Sequence, residues 1–154
     1  MKILKTGDLA PEFKGVDQDG KSISLTDFEG KKVIIYFYPK DNTPGCTAEA
    51  CNLRDNFDAL IKKGFEIIGI SPDSIASHKK FAEKYDLPFS LISDANKEII
   101  RKYNAWGEKK MYGKTYEGVL RKTFIINEDL KIERIIEKVD TKDHTNQIYK
   151  ELKF

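Results

Sequence analysis

An α/β fold, in which helices are layered on buried strands, is what this sequence predicts, and three observations predict it. Continuous apolar, β-branched and aromatic runs, "KKVIIYFYP" (31–39), "FEIIGISP" (65–72) and "FSLISD" (89–94), have the pattern of strands covered on both faces. Amphipathic segments of helical period separate these runs. The chain then finishes with two apolar runs, "VLRKTFIIN" and "LKIERIIEK", that form a hairpin about Glu128-Asp129.

Taken in order, "EFKGVDQDGKSISL" sets Asp19-Gly20 between two short alternating runs, which predicts a peripheral β-hairpin. The strand at 31–39 stops at Pro39. From Pro44 to about Lys62, Ala50, Leu53, Phe57, Leu60 and Ile61 recur at helical spacing, and Gly64 supplies the stop. Ser74 opens a second helix, with Ile75, His78, Phe81, Ala82 and Tyr85 on one side and Pro88 beyond its end. "ANKEIIRKYNAW" suggests a short helix, and the polar "GEKKMYGKTYEG" is expected to be a functional loop of about a dozen residues. "TKDHTNQIYKELKF" closes the chain as an amphipathic helix. No repeat, linker or low-complexity tract interrupts this order, so residues 1–154 are expected to form one domain.

Composition narrows the function. The 27 basic residues nearly balance the 25 acidic ones, and the Lys-rich pieces carry interspersed acids, so the charges read as solvated faces and no nucleic-acid partner is expected. No segment has the length of a signal peptide or a membrane span, so a soluble, cytoplasmic protein without a membrane partner is expected. In that reducing compartment two close cysteines point to redox chemistry or metal rather than to a structural staple.

The chain's two cysteines, Cys46 and Cys51, lie in "YPKDNTPGCTAEACNLRD". With Thr43 as helix cap, Pro44 takes the first helical position, which proline favours, and Cys46 the third. The cap oxygen is expected to accept a backbone N–H of the first turn, leaving the hydroxyl beside the sulfur with its proton free to donate. The unpaired N–H groups and the positive end of the helix dipole favour the Cys46 thiolate. Acidity alone does little for rate, because nucleophilicity falls with it. Fast chemistry must come from donors that orient and polarise an electrophile.

Cys51 follows on the same helix, where five residues correspond to roughly 7.5 Å of rise and 140° of rotation. The two Cα atoms are then roughly 8.6 Å apart, beyond the limit of about 7 Å for a disulfide. If the two bond, the first turns of the helix must unravel.

Cysteines on an amphipathic helix are often inert core residues, but the Thr-Pro-Gly lead-in argues for reactivity here. A metal site would need clustered ligands, and His78 and His144 are far away in sequence. His78 is expected to be packed or half exposed, and His144 to be solvated in the first turn of the last helix.

Pro39, Thr43 and Cys46 match the P-x-x-x-T-x-x-C signature of peroxiredoxins, and "TAEAC" with "NLRD", "WGEKKMYGK" and "LRKTFIIN" resembles the bacterioferritin-comigratory-protein, or Q-type, subfamily over essentially the whole chain. The resemblance implies a thioredoxin-like fold, with a central mixed β-sheet flanked by helices and an N-terminal β-hairpin. It implies thiol-dependent reduction of hydrogen peroxide and organic hydroperoxides, with no bound metal, haem or flavin cofactor. Cys46 would be the peroxidatic cysteine and Cys51 its resolving partner in an intramolecular disulfide, recycled by thioredoxin or a related dithiol, in a monomer. Thr43 would hydrogen-bond sulfur and peroxide, and Pro39 would shield the sulfur. Plain capping and strand termination are the structural alternatives for those two.

Arg121 is chosen as the family's active-site arginine because it precedes the strand expected beside the cysteine loop. Arg54 is the competitor, able to pair with Asp55 or Asp58 at the surface. Glu49 matches a family position that supports the arginine, with an exposed helical carboxylate as the alternative. Thioredoxin-type oxidoreductases use C-x-x-C and a late cis-proline; here the spacing is C-x-x-x-x-C and no proline follows Pro88. From another functional class, a redox sensor or holdase chaperone could use the same Cys46–Cys51 switch without efficient turnover.

Overall fold

The computed structural model describes residues 2–153. Its elements run β1 (Lys14–Val16), β2 (Ser22–Ser24), a 3-10 turn (Leu25–Phe28), β3 (Lys32–Phe37), α1 (Pro44–Asp55), α2 (Phe57–Lys62), β4 (Phe65–Ser71), α3 (Ile75–Tyr85), β5 (Ser90–Ser93), α4 (Glu98–Lys102), β6 (Trp106–Met111), β7 (Lys114–Val119), β8 (Lys122–Ile126), β9 (Ile132–Ile136) and α5 (His144–Glu151). Seven strands form a mixed sheet in the order β2-β1-β5-β4-β3-β8-β9. The β3, β4 and β5 strands are mutually parallel, and β8 returns antiparallel beside β3. The N-terminal hairpin turns at Gly20, as the Asp19-Gly20 signal predicts, and extends the sheet by pairing Val16 with Ser93.

The alternation of β3 divides the interior into two layers. Val33, Ile35 and Phe37 face a core that includes Ile99 and Ile100 of α4, together with Tyr103 and Phe124. Ile34, Tyr36 and Tyr38 face the other, with Cys46, Ala50 and Leu53 of α1, Phe81 of α3 and Ile148 of α5. Both faces of the sheet are thus covered, which is why its central strands are apolar throughout. Gly69 lies opposite Tyr36 in the ladder; a Cβ at that position would come within 2.8 Å of the Tyr36 ring, so glycine makes room for a buried phenol there. No described helix is long and apolar enough to cross a membrane.

Two expectations about elements need correction. The helix expected over 44–62 is two helices, because Asn56 leaves helical geometry between them and takes the cap position of the second. The segment expected as a loop, 107–118, is most of a two-stranded ribbon, β6–β7, whose chain reverses at Tyr112-Gly113 with positive φ at both residues. Such a turn matches the twist of a hairpin and usually carries Asn-Gly or Asp-Gly. Here a tyrosine holds the first place, and the run 114–117 is exposed throughout, so no buried face leaves an alternating apolar signal.

Candidate active site

The site forms where the parallel strand β3 ends. Open α/β sheets bind ligands at the carboxyl ends of their strands, where the chain crosses to a helix. Residues 38–43 make that crossing, and an antiparallel neighbour brings its own beginning to the same place. Lys122 of β8 pairs with Phe37 of β3, so Arg121 enters beside the cysteine loop. Its Nη2 donates to the Cys46 sulfur at 3.3 Å, and its Nη1 donates to Glu49 Oε1 at 3.0 Å. Arg121 and Cys46 thus meet at the end of β3, where the connecting residues 38–43 include Pro39 and Thr43.

Cys46 is buried in the first turn of α1, with Pro44 at its start; Cys51 is half-buried on the same helix, and both are free thiols. The helical separation that keeps them from bonding thus holds in this conformation. Burial pushes the Cys51 thiol pKa up, against the opposing charge of Arg54. Arg54 itself stays with Asp55, 2.9 Å away, and with the Tyr85 carbonyl, away from Cys46.

Thr43 occupies the cap position, and its carbonyl accepts the first helical bond from the Thr47 amide at 2.8 Å. Its hydroxyl does not cap, contrary to expectation, but donates to the Lys40 carbonyl at 2.9 Å. The physical reason is the loop: Asn42 adopts a left-handed φ of 59° and turns the chain back, placing the Lys40 carbonyl within reach. The amides of the first turn receive no side-chain cap, so they remain available to a ligand at the sulfur.

Beneath the loop lies a buried network. The Tyr38 hydroxyl donates to Asp41 Oδ1 at 2.6 Å, Ser77 Oγ donates to Asp41 Oδ2 at 2.8 Å, and the Asp41 amide donates to Asp73 at 2.8 Å. His78 is fully buried; its Nε2 faces the Ile92 carbonyl at 3.1 Å, and its Nδ1 faces Asp41 Oδ2 at 2.7 Å. A carbonyl can only accept, so Nε2 carries a hydrogen, and the ring ties β5 to the cysteine loop through Ile92 and Asp41. Asp41, Asp73 and His78 lie close enough to share a metal ion, yet their hydrogen bonds already serve to tie the loop to α3 and β4.

Glu49 is fully buried, not exposed. Burial pushes its pKa up to about 7 while Arg121 pulls it back. Burial also lowers the Arg121 pKa, but Cys46 and Glu49 more than offset that and the net shift is upward.

His144, expected to be solvated, is buried as well. Its tautomer follows from its partners. Gln147 Nε2 donates to the Lys138 carbonyl, which fixes Gln147 Oε1 as the acceptor from His144 Nδ1 at 2.9 Å. His144 Nε2 then faces Thr123 Oγ1 at 2.8 Å and Glu49 Oε2 at 3.5 Å. Burial holds the His144 pKa down at about 4.

Three further neighbours escape sequence reasoning. Lys109, on the β6–β7 ribbon, has its pKa lowered by burial and by Arg121 and raised by Cys46, so the ribbon brings a second cation into the electrostatic range of the sulfur. The fully buried Tyr36 phenol has no hydrogen-bond partner among the described residues, and burial followed by Glu49 and Cys46 raises its pKa. Thr141, preceding α5, lies near Gly45. Lys109 belongs to the polar segment 107–118 that the sequence marks for function, but no local pattern singles out any of the three as a neighbour of the sulfur; register and packing bring them in.

Comparison with known proteins identifies the relatives of the chain. Residues 6–135 match the model of the AhpC/TSA family. Peroxiredoxin Bcp of Escherichia coli (strain K12) is 46% identical over 153 residues, covering 99% of this chain and 98% of that one. The structure of a bacterioferritin comigratory protein from Xanthomonas campestris superposes with a TM-score of 0.85 at 33% identity, covering 92% of this chain and 90% of that one. A cysteine-to-serine variant of Xylella fastidiosa PrxQ superposes with a TM-score of 0.91 at 26% identity, over 99% and 98%. The fold is thioredoxin-like, as these peroxiredoxin neighbours have it. The chain therefore belongs to the AhpC/TSA family, within its Bcp or Q-type peroxiredoxins, and is a thiol peroxidase.

Proposed function

We propose that residues 1–154 act as one peroxidase domain that reduces hydrogen peroxide and organic hydroperoxides through Cys46. The observation that carries the reading is the Arg121 guanidinium 3.3 Å from the Cys46 sulfur, at a helix start whose amides receive no side-chain cap. The Cys46 thiolate attacks the terminal peroxide oxygen. An S–O bond forms and the O–O bond breaks, the sulfur becomes a sulfenic acid, and the leaving oxygen takes up the proton released by thiol ionisation to leave as water or alcohol. Arg121 and the first-turn amides stabilise charge on the oxygens as the bond breaks. The Thr43 hydroxyl, which already donates to Lys40, keeps its lone pairs for a proton of the incoming peroxide. To Pro39, in the connection between β3 and α1, we assign the shielding of the sulfur from solvent. The Xanthomonas campestris relative is described by its alkyl peroxide reduction activity, which supports organic hydroperoxides as substrates.

Cys51 resolves the sulfenic acid. Its thiol attacks the oxidised sulfur, a disulfide forms, and water carries away the hydroxyl and the thiol proton. Helix α1 opens for this step, since helical geometry keeps the two cysteines apart. A dithiol reductant of the thioredoxin type then reduces the disulfide and is itself oxidised. Both cysteines lie on one helix, so the cycle needs no second chain and runs in a monomer. Recycling requires a reducing compartment, for which we propose the cytoplasm.

The test is mass analysis after one equivalent of peroxide, followed by thioredoxin. A loss of two hydrogens on the peptide pair bearing Cys46 and Cys51, reversed by the reductant, supports the reading. Oxidation that never joins the two cysteines overturns it.

A further inference from the structure

The start of α5 lacks a cap of its own. Asp143 occupies the cap position but makes no cap bond, and its carboxylate instead accepts from Asn146 at 3.0 Å. The donor that needs a partner, the Thr145 amide in the first turn, donates to Oδ1 of Asn52 at 2.8 Å. The Thr145 hydroxyl donates to the same oxygen at 2.8 Å, and Asn52 Nδ2 donates to the Lys142 carbonyl at 3.3 Å. Thr145 is buried, so water cannot easily replace these bonds. One side chain on α1, adjacent to Cys51, thus supplies the cap of another helix. A turn earlier on α1, Glu49 meets His144, the first residue of α5.

We propose that this cross-helix cap is a latch that sets how readily α1 opens, with Thr145 as a positioning residue for the resolution step. Thr145 touches neither sulfur. Unwinding α1 carries Asn52 away, so the Thr145 amide and hydroxyl lose their shared acceptor and the start of α5 loosens. The latch decides how long the Cys46 sulfenic acid stays in the folded site. During that time a second peroxide can oxidise it to the sulfinic acid, transferring one oxygen and leaving as water or alcohol. The proposal rests on Cys51 resolving Cys46 within one chain.

The test is Thr145→Val, which keeps the volume and removes one of the two bonds to Asn52 Oδ1, with rapid-quench mass analysis of both oxidation steps. The first oxidation of Cys46 keeps its rate. Disulfide formation is expected to run about five-fold faster, the value of one ordinary hydrogen bond, and the sulfinic fraction in excess peroxide to fall in proportion. Thr145→Ser restores the original partition. In the unsubstituted protein, amides 144–148 exchange faster in the disulfide form than in the reduced form. An unchanged rate of disulfide formation in Thr145→Val, or unchanged exchange in α5, overturns the latch alone. Failure of the unsubstituted protein to form an intramolecular disulfide removes the latch and the resolving role of Cys51 together.

Discussion

Arg121 donates to the Cys46 sulfur at 3.3 Å although 75 residues separate the two in the chain. The contact is a product of strand order: β8 lies antiparallel beside β3, so the residue before one strand meets the loop after the other. The same guanidinium holds the buried Glu49 carboxyl, and one cation serves two acidic groups.

Replacing that cation tests its role. Arg121→Met is expected to slow the reaction of Cys46 with peroxide by about 10²- to 10³-fold, the usual cost of losing a donor aimed at developing charge. Arg121→Lys should fall between, because an ammonium keeps the charge but cannot reach both partners from one planar group. Single-turnover oxidation, read by mass, measures both.

Thr43 should be sensitive to loss of its hydroxyl and tolerant of loss of its methyl. Thr43→Val is expected to lower the second-order rate with peroxide by about 10²-fold, and Thr43→Ser to retain most of it. Unfolding in urea separates this from a loop defect, since losing an ordinary neutral hydrogen bond costs only about 1 kcal/mol.

The Asp41 network should matter chiefly for stability. Asp41→Ala strands the Tyr38 and Ser77 hydroxyls and the buried His78 in one step. A loss of about 3–5 kcal/mol is expected, as for a broken buried pair, measured by urea unfolding. A loss within the range of ordinary surface changes would mean that the loop is held elsewhere.

Glu49 and His144 make a pH prediction through opposing signs. Glu49 has a folded pKa of about 7, raised from 4.5, so its contribution is fully present below pH 4.5 and is lost as pH rises through 7. His144 has a folded pKa of about 4, lowered from 6.5, so its contribution is present above pH 6.5 and is lost as pH falls through 4. Between about pH 4.5 and 6.5 the two slopes cancel, and folding moves one proton from imidazole to carboxyl without net uptake. Glu49→Gln removes one side of that balance. The variant should gain about 3 kcal/mol between pH 4 and 7 relative to the unsubstituted protein, read from urea unfolding across that range.

Much of the site is legible in the sequence, because the cysteine loop is local. Pro39, Thr43 and Cys46 stand at fixed spacing between a buried strand and a helix start, and Arg121 is found from its place before the next strand. What escapes is set by contacts between elements. His144 sits in the polar run "TKDHT" and is buried only because Gln147, Thr123 and Glu49 surround it. Asn52 looks like an ordinary helical surface residue until α5 arrives to be capped. The β6–β7 ribbon lacks an apolar face along 114–117, so periodicity is silent about it. The Thr43 hydroxyl bonds backward to Lys40 rather than forward into its helix, because Asn42 turns the loop, a bend the helix-start pattern does not contain.

The central claim is that α1 must open for Cys51 to reach Cys46. Amide hydrogen exchange across residues 44–55, comparing the reduced protein with a verified Cys46–Cys51 disulfide form, tests it most directly. Opening predicts that these amides, protected in the reduced helix, exchange much faster once the disulfide forms. Equal protection in the two forms would contradict it, since the bond would then have formed across an intact helix.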